Sequence, residues 1–136
     1  MDLLARREHS CYELRQKLQR KGHDAAQITE VLAQMSGEGL QSDRRFTECF
    51  ISSRINRGEG PVRVRAALAQ RGISDELIAE SLDGVTVDWQ ERAETARQKR
   101  FGDDWPQNYK ERARQARFLQ QRGFSMEQIN RLLFRD

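Results

Sequence analysis

Apolar residues recur along this chain at the spacing of amphipathic helices, and no stretch alternates apolar with polar positions over the length of a strand. The clearest example is the segment 43–82, which has the pattern of three consecutive helices. A long helix ends near Gly58, a second begins behind Gly60-Pro61, and Gly72 separates it from a short third helix. The pattern predicts an all-α fold with this three-helix unit at its centre.

The same pattern occurs three times along the chain at a nearly constant period. In each copy a basic helix ends in leucine, two further residues, lysine or arginine, and glycine; the glycines are Gly22, Gly72 and Gly123. Glycine at the end of a helix adopts a left-handed backbone without steric cost. An isoleucine and a leucine then follow four residues apart, on one face of the next helix (Ile28 and Leu32, Ile78 and Leu82, Ile129 and Leu133). The pattern predicts three tandem three-helix repeats.

The period divides the chain into three repeats of unequal completeness. Repeat 1 comprises residues 1–39, repeat 2 residues 40–86 and repeat 3 residues 87–136. Repeat 1 leaves room for only a short first helix ahead of its basic helix, whereas the loop 102–108 interrupts repeat 3. Repeat 2 is therefore predicted to be the complete copy.

The start of each helix in repeat 2 has a simple chemical explanation. We expect Asp43 to cap the first helix, because its carboxylate can accept from unpaired backbone N–H groups, and Phe46 to face the core. Gly60 and Pro61 would start the second helix, since proline fits the first helical turn. Asp24, Ser74 or Asp75, and Ser125 are the expected caps of the three short helices.

The charged residues indicate a class of partner because they are unevenly distributed along the chain. The chain has 24 Lys and Arg against 21 Asp and Glu, a net charge of +3. The positive charge is concentrated in the three basic helices, at residues 10–21, 61–71 and 109–122, so the rest of the chain is net acidic. A basic surface that recurs in each repeat favours a polyanionic partner.

We predict that exposed cations of these helices, and of the end of the long helix in repeat 2, contact a polyanion through its backbone. The predicted contact residues are Arg15, Lys17, Lys21, Arg54, Arg57, Arg63, Arg65, Arg71, Arg112, Arg114 and Arg117. For any single arginine the competing interpretation is a solvated helix face with acidic neighbours in the same molecule. Base reading by a helix-turn-helix is disfavoured, because the third helices begin with the acids Asp24 and Asp75-Glu76.

Catalytic and metal-binding patterns are absent from the sequence. It has two histidines, no glycine-rich phosphate loop and no zinc-like ligand spacing, so we predict no enzyme activity, no cofactor and no metal. For the pattern His9-x-Cys11 and the isolated Cys49 we expect a surface histidine and a buried structural cysteine. With no signal peptide and no apolar run near membrane-spanning length, we expect a cytoplasmic protein without a membrane partner.

Several stretches resemble the RecX family of regulatory proteins, in the family's order and over nearly the whole chain. They are Leu3 to Ser10, Ser42 to Phe46, Gly60-Pro61, Leu68 to Ile73, and Phe118 to Phe124. The resemblance implies an elongated, curved array of three-helix repeats that binds the RecA filament on DNA. It also implies inhibition of RecA strand exchange, ATP hydrolysis and coprotease action, and so a role in recombination, DNA repair and the SOS response.

The implied partners are the RecA filament and single-stranded DNA, with double-stranded DNA as a further candidate, all contacted by a monomer. Two other interpretations stay open from the sequence. One is a general nucleic-acid-binding helical repeat that makes no direct contact with RecA. The other is a protein-only scaffold, which would have no affinity for DNA even at low salt.

Overall fold

The computed structural model describes residues 8–134, and all regular structure in this range is helical. The helices are α1 (Cys11–Arg20), α2 (Ala25–Gly37), α3 (Asp43–Asn56), α4 (Pro61–Gln70), α5 (Asp75–Asp83), α6 (Trp89–Phe101), α7 (Tyr109–Arg122) and α8 (Met126–Leu133). The predicted all-α fold is confirmed. Helices α3–α5 form the second three-helix set and α6–α8 the third, while the short first helix predicted for repeat 1 lies outside the described residues.

The third helix of each repeat, namely α2, α5 and α8, begins at the cap that the sequence predicts. Asp24, Ser74 and Ser125 each accept a hydrogen bond from the backbone N–H three residues ahead. The cap expected at Asp43 is wrong by one residue: Ser42 Oγ accepts from Arg45 N at 3.1 Å, and α3 begins at Asp43 itself. The carboxylate of Asp43 instead accepts from the backbone N–H of Cys11 at 2.8 Å, so it satisfies the start of α1.

The described chain divides into two compact units. Unit 1 combines the chain up to Ile51 with Ala67–Gly84, and unit 2 combines Ser52–Ala66 with the chain from Val85 onwards. Two of the three unit boundaries fall within α3 and α4, and the third follows α5. The repeat boundaries 1–39, 40–86 and 87–136 stay a prediction.

A small apolar core holds α1 and α2 together in unit 1. Leu14, Ile28, Leu32 and Met35 are buried in one cluster, and the partly buried Leu18 packs against it. The leucine before the glycine therefore packs against the cluster that contains the isoleucine and leucine of the following helix. Elsewhere in unit 1 Phe46, the expected core residue of α3, is buried at 2% exposure.

Backbone groups at helix ends meet directly in unit 2. The N–H groups of Gly60 and Val62, at the start of α4, donate to the carbonyls of Arg122 and Gly123, each at 2.8 Å. A Cβ on Gly60 would lie 2.6 Å from the Gly123 carbonyl, so no side chain fits at that position. Gly123 also needs its φ of +98° to end α7. The two helix ends thus satisfy each other's unpaired backbone groups.

Unit 1 has a related contact at the other end of α4. Ser10 Oγ, at the start of α1, donates to the carbonyl of Arg71 at 2.8 Å. Gly72, with φ of +77°, presents its bare Cα to the side chain of Tyr12, where a Cβ would clash. Gly22 also has a positive φ, +91°, but no atom of the described residues lies close enough to contact an added Cβ. The three glycines therefore share a backbone conformation, while Gly72 and Gly123 also permit close packing.

A buried arginine replaces apolar packing in the third helix set. Arg97 of α6 is only 1% exposed, and its guanidinium pairs with Glu94 and donates to Gln115 Oε1 at 3.3 Å. It also donates to the carbonyl of Asp104 at 3.3 Å and lies 5.3 Å from the Trp105 ring centroid. Gln115 occupies the repeat position that Leu14 and Val64 fill in the other copies, and Arg97 explains the change. The loop 102–108 is anchored to α6 by the same side chain.

Candidate nucleic-acid interface

The cations predicted in unit 1 differ in their exposure and in whether they have an intramolecular partner. Lys17 Nζ lies 2.8 Å from His9 Nε2, and because an ammonium can only donate, the histidine accepts. Arg15 is half-buried and Lys21 is exposed; neither has an ion pair among the described residues. His9 itself is 2% exposed, so the expectation of a surface histidine is wrong. Of these three cations, only Lys21, which follows the last residue of α1, is both exposed and without an ion pair in the described chain.

Arg71 has a structural role in unit 1. Its guanidinium lies 3.7 Å from Glu13, 4.8 Å from the centroid of the Phe50 ring, and donates to the carbonyl of Ala67 at 2.9 Å. A cation with three intramolecular partners has little capacity left for an external anion. The structure thus assigns Arg71 to packing between α1 and the end of α4.

Two predicted cations of unit 2 converge on one buried carboxylate. Glu59 is 5% exposed and pairs with Arg54 at 3.0 Å and with Arg63 at 3.6 Å. Arg63 also donates to the carbonyl of Gln121 at 3.0 Å. Burying a carboxylate is costly without such partners. Both arginines therefore contribute to the turn between α3 and α4, although Arg63 remains half exposed.

The three predicted arginines of α7 have three different surroundings. Arg114 pairs with Glu111 at 3.1 Å and lies 4.9 Å from the Phe101 ring centroid. Arg112 is half-buried, and its Nε is buried without a hydrogen-bond partner. Arg117 is exposed and forms no ion pair within residues 8–134. Arg117 is therefore the α7 arginine best placed to meet an anion.

The Glu111 carboxylate is held in its charged form by the same contacts. Hydrogen bonds from Arg114 and then Gln115 lower the pKa of Glu111 below its usual value. The pair is exposed to solvent, so it neutralises Arg114 locally without removing it from the surface.

Unit 2 carries the most unpaired positive charge. Of the predicted residues, Arg57, Arg65 and Arg117 are exposed there and have no acidic partner in the described chain. Sequence reasoning missed three further cations of α6, Arg92, Lys99 and Arg100, which are also exposed and without ion pairs in that range. Arg92 and Lys99 lie seven residues apart, two helical turns on one face. That spacing was the signal in the sequence for a basic face on α6. The predicted contact residues came only from the second helix of each repeat and the end of the long helix in repeat 2, so α6 was left out.

The described residues contain neither a metal-ligand group nor a membrane-spanning helix. Within residues 8–134 no three His, Cys, Asp or Glu side chains are grouped closely enough to hold a metal ion. None of the helices in that range is both long and apolar enough to cross a lipid bilayer. Cys49 is exposed, so the expectation of a buried cysteine is wrong at that position.

Models of the RecX domains match successive parts of the chain. The first three-helix domain of RecX matches residues 1–35, the second matches residues 42–82, and the third matches residues 87–133. Together these matches span most of the sequence in a single order.

Curated relatives and solved structures agree with these matches. The regulatory protein RecX of Halorhodospira halophila is 48% identical over 127 residues, which cover 93% of this chain and 79% of the relative. That of Pseudomonas entomophila is 47% identical over 133 residues, covering 98% and 86%. A crystal structure of RecX from Lactobacillus salivarius has the same fold, with a TM-score of 0.81 at 20% identity, covering 98% of this chain and 88% of that one. The chain belongs to the RecX family of regulatory proteins.

Proposed function

We propose that this protein binds the RecA filament on DNA and inhibits the recombinase, ATPase and coprotease activities of RecA. Membership of the RecX family carries the proposal. The exposed, unpaired cations of unit 2 support it, because a filament on DNA presents phosphates to its ligands. The protein would act as a cytoplasmic monomer without catalysing a reaction of its own.

Binding along the filament would act in one of two ways. A bound molecule would block addition of the next RecA subunit, or it would restrain the subunit motions that accompany ATP hydrolysis. Either way the protein needs differential affinity for one filament state. Contacts to phosphates would position it, while sequence-specific base reading is not needed.

The direct test is the ATPase rate of RecA on single-stranded DNA with increasing amounts of this protein. We expect the rate to fall at well below one molecule per RecA subunit, because a block to extension affects many subunits at once. An unchanged rate at equimolar protein would contradict the proposal.

The second candidate is a general nucleic-acid-binding protein that reaches RecA only through shared DNA, and the same exposed cations favour it. The two candidates differ in salt dependence. Pure phosphate contact weakens steeply as salt rises, with a slope of roughly 0.7 per neutralised phosphate on single strands. A direct RecA contact would make binding to the RecA–DNA filament less sensitive to salt than binding to DNA alone. Equal slopes would favour the second candidate.

A further inference from the structure

A cavity opens within unit 2 between the end of α3, one face of α6 and the end of α7. Its volume is about 170 Å³, and its floor is apolar, formed by Ile55, Ala96 and Phe118. For comparison, an apolar protein cavity of about 150 Å³ can hold a benzene ring. The cavity is therefore large enough for one bulky apolar side chain.

Cations surround this apolar floor. The five basic residues that line the cavity are Arg57, Arg92, Lys99, Arg100 and Arg122, and no carboxylate is among the described residues that line it. None of the five has an ion pair within residues 8–134. Arg122 lies 5.2 Å from the Phe118 ring centroid and Arg100 5.3 Å from that of Phe101. Aromatic rings orient these two guanidiniums without neutralising them.

The surroundings of the floor argue against a nucleobase as the occupant. Phe118 has Arg122 over its ring and meets Phe101 edge-to-face at 5.3 Å, so stacking a base would displace Arg122. The Thr95 hydroxyl, which could read a base edge, already donates to the carbonyl of Glu91 at 3.0 Å. A phosphate alone would match the cations but would leave the apolar floor unused.

The geometry points to an acidic peptide segment of a partner protein as the ligand of this cavity. One leucine-like or phenylalanine-like side chain of the segment fills the apolar floor, and flanking carboxylates meet the five cations. Recognition of this kind needs both parts, because charge attracts and orients the segment while the buried side chain supplies stable contact area. Four of the five cations, Arg57, Arg92, Lys99 and Arg100, are also among the exposed cations that support the proposed function. The apolar part of the site does not depend on phosphate contact, so the proposal stands whether or not such contacts exist.

The probe is a fluorescein-labelled peptide of sequence Gly-Asp-Glu-Leu-Asp-Glu, with binding to the full chain measured by anisotropy at moderate salt. A control peptide replaces leucine by serine, and a second replaces the acids by their amides. We expect each control to bind at least about tenfold more weakly than the probe, because each removes one of the two contacts. Equal binding of the probe and the serine peptide would overturn the proposal.

Two charge-reversal variants serve as each other's controls. Arg92→Glu with Lys99→Glu reverses cavity cations, whereas Arg65→Glu with Arg117→Glu makes the same change in net charge at exposed residues outside the cavity. We expect the first pair to lose peptide binding by at least about tenfold and the second pair to keep it within about threefold, because only the first pair changes residues that line the cavity. This comparison measures peptide binding alone, so it does not depend on whether the cations also contact DNA. Equal losses in both pairs would show attraction by net charge alone and would overturn the proposal.

A third variant tests the apolar floor without changing charge. Thr95→Trp places a large ring in the cavity from an exposed position, so circular dichroism should show an intact helical fold. We expect it to abolish peptide binding although all five cations remain. Because Thr95→Trp leaves every cation in place, it should retain binding to oligo-dT within about threefold. Loss of oligo-dT binding together with peptide binding in this variant would identify a nucleic-acid site and overturn the proposal.

Discussion

Arg97 places a guanidinium inside unit 2, where Glu94, Gln115 and the Asp104 carbonyl surround it. Replacing it by methionine would keep the volume but leave Gln115 buried without this donor. We expect Arg97→Met to lower the free energy of unfolding by about 1–3 kcal/mol, since Glu94 is partly exposed and can regain water. Urea denaturation measures the change. Arg92→Met, at an exposed position on the same helix, is the control and should change stability by less than about 0.5 kcal/mol.

The pair Arg97 and Gln115 also predicts a compensating change. In the other repeats Leu14 and Val64 occupy the position of Gln115, and both are fully buried. We expect Gln115→Leu to recover at least half of the stability lost in Arg97→Met, because it removes the unpaired amide oxygen and restores apolar contact. Additive losses in the double variant would contradict this explanation of the sequence difference.

Gly60 lies where only hydrogen fits, since a Cβ would be 2.6 Å from the backbone of Gly123. We expect Gly60→Ala to destabilise the protein by about 1–3 kcal/mol, as backbone atoms have to move apart. Gly37 is the matched control because its added Cβ would meet no neighbour and its backbone is helical. Gly37→Ala should be neutral or slightly stabilising. Thermal or urea unfolding of both variants measures the difference.

The lowered pKa of Glu111 predicts a pH dependence with a definite sign. The carboxylate binds its proton more weakly in the folded protein than in the unfolded chain. Its contribution to stability is therefore present above the unfolded pKa and is lost as the pH falls through the folded pKa. We expect Glu111→Gln to flatten the acid side of the stability curve, measured by urea unfolding from neutral pH into the acid range. Parallel curves for the two proteins would show that the hydrogen bonds do not persist in solution.

Residues whose role depends on distant partners were the ones that sequence reasoning misplaced. His9 is buried, and one of its contacts is Lys17, eight positions later on α1. Cys49 is exposed although it stands between apolar residues of α3, because only part of that helix face is covered. Local periodicity locates a helix face but not the neighbour that covers it. The same limit applies to the predicted contact cations. The sequence pattern does not show which of them have intramolecular partners, as Arg54 and Arg71 do.

At the scale of the helix, starts and ends followed closely from the sequence. Capping side chains and terminal glycines act within a few residues of their partners, so their chemistry is visible in the local pattern. Asp43 is the exception, because its partner is the backbone of Cys11, 32 residues earlier. A polar residue at the first position inside a helix can accept a hydrogen bond from another helix instead of capping its own. Only the three-dimensional structure distinguishes these two roles.

The side chain that caps α1 also donates a hydrogen bond to a residue just past the end of α4. Ser10 accepts from Glu13 N at 3.1 Å and donates to the carbonyl of Arg71, and it is fully buried. Ser125 has a similar capping box on α8 without such a donor bond. We expect Ser125→Ala to cost about 1 kcal/mol of unfolding free energy and Ser10→Ala to cost about 1 kcal/mol more. Equal losses would show that the bond to Arg71 contributes nothing net.

At the scale of the whole molecule, repetition was readable because one pattern recurs with the period of the fold. Surface charge was less readable, since a count along the chain cannot separate a cation with an acidic neighbour from one without. Arg63 and Arg65 are two positions apart, yet only Arg63 pairs with Glu59. Helix α6 also carries Glu91 and Glu94, of which Glu94 pairs with Arg97, so its net charge does not reveal the cations that have no ion pair in the described chain.

The exposed cations of unit 2 give a quantitative expectation for DNA binding. If Arg65 and Arg117 each contact a phosphate, their joint replacement by glutamine should weaken binding to single-stranded oligonucleotides by the same factor whatever their base sequence. It should also reduce the slope of log affinity against log salt by roughly 0.7 for each contact. Arg131→Gln, at an exposed arginine already paired with Glu127, is the control. An unchanged slope would remove both residues from the interface.

The backbone bonds between the start of α4 and the end of α7 make two amide protons report on a distant stretch of chain. The N–H groups of Gly60 and Val62 would ordinarily face water at a helix start, and would exchange with solvent deuterium almost at once. Since they donate to Arg122 and Gly123, they should exchange only when the end of α7 separates from them. We expect both amides to exchange slowly, and to lose this protection together when α7 is destabilised. Their exchange rates would then measure the opening of α7 through amides at the start of α4.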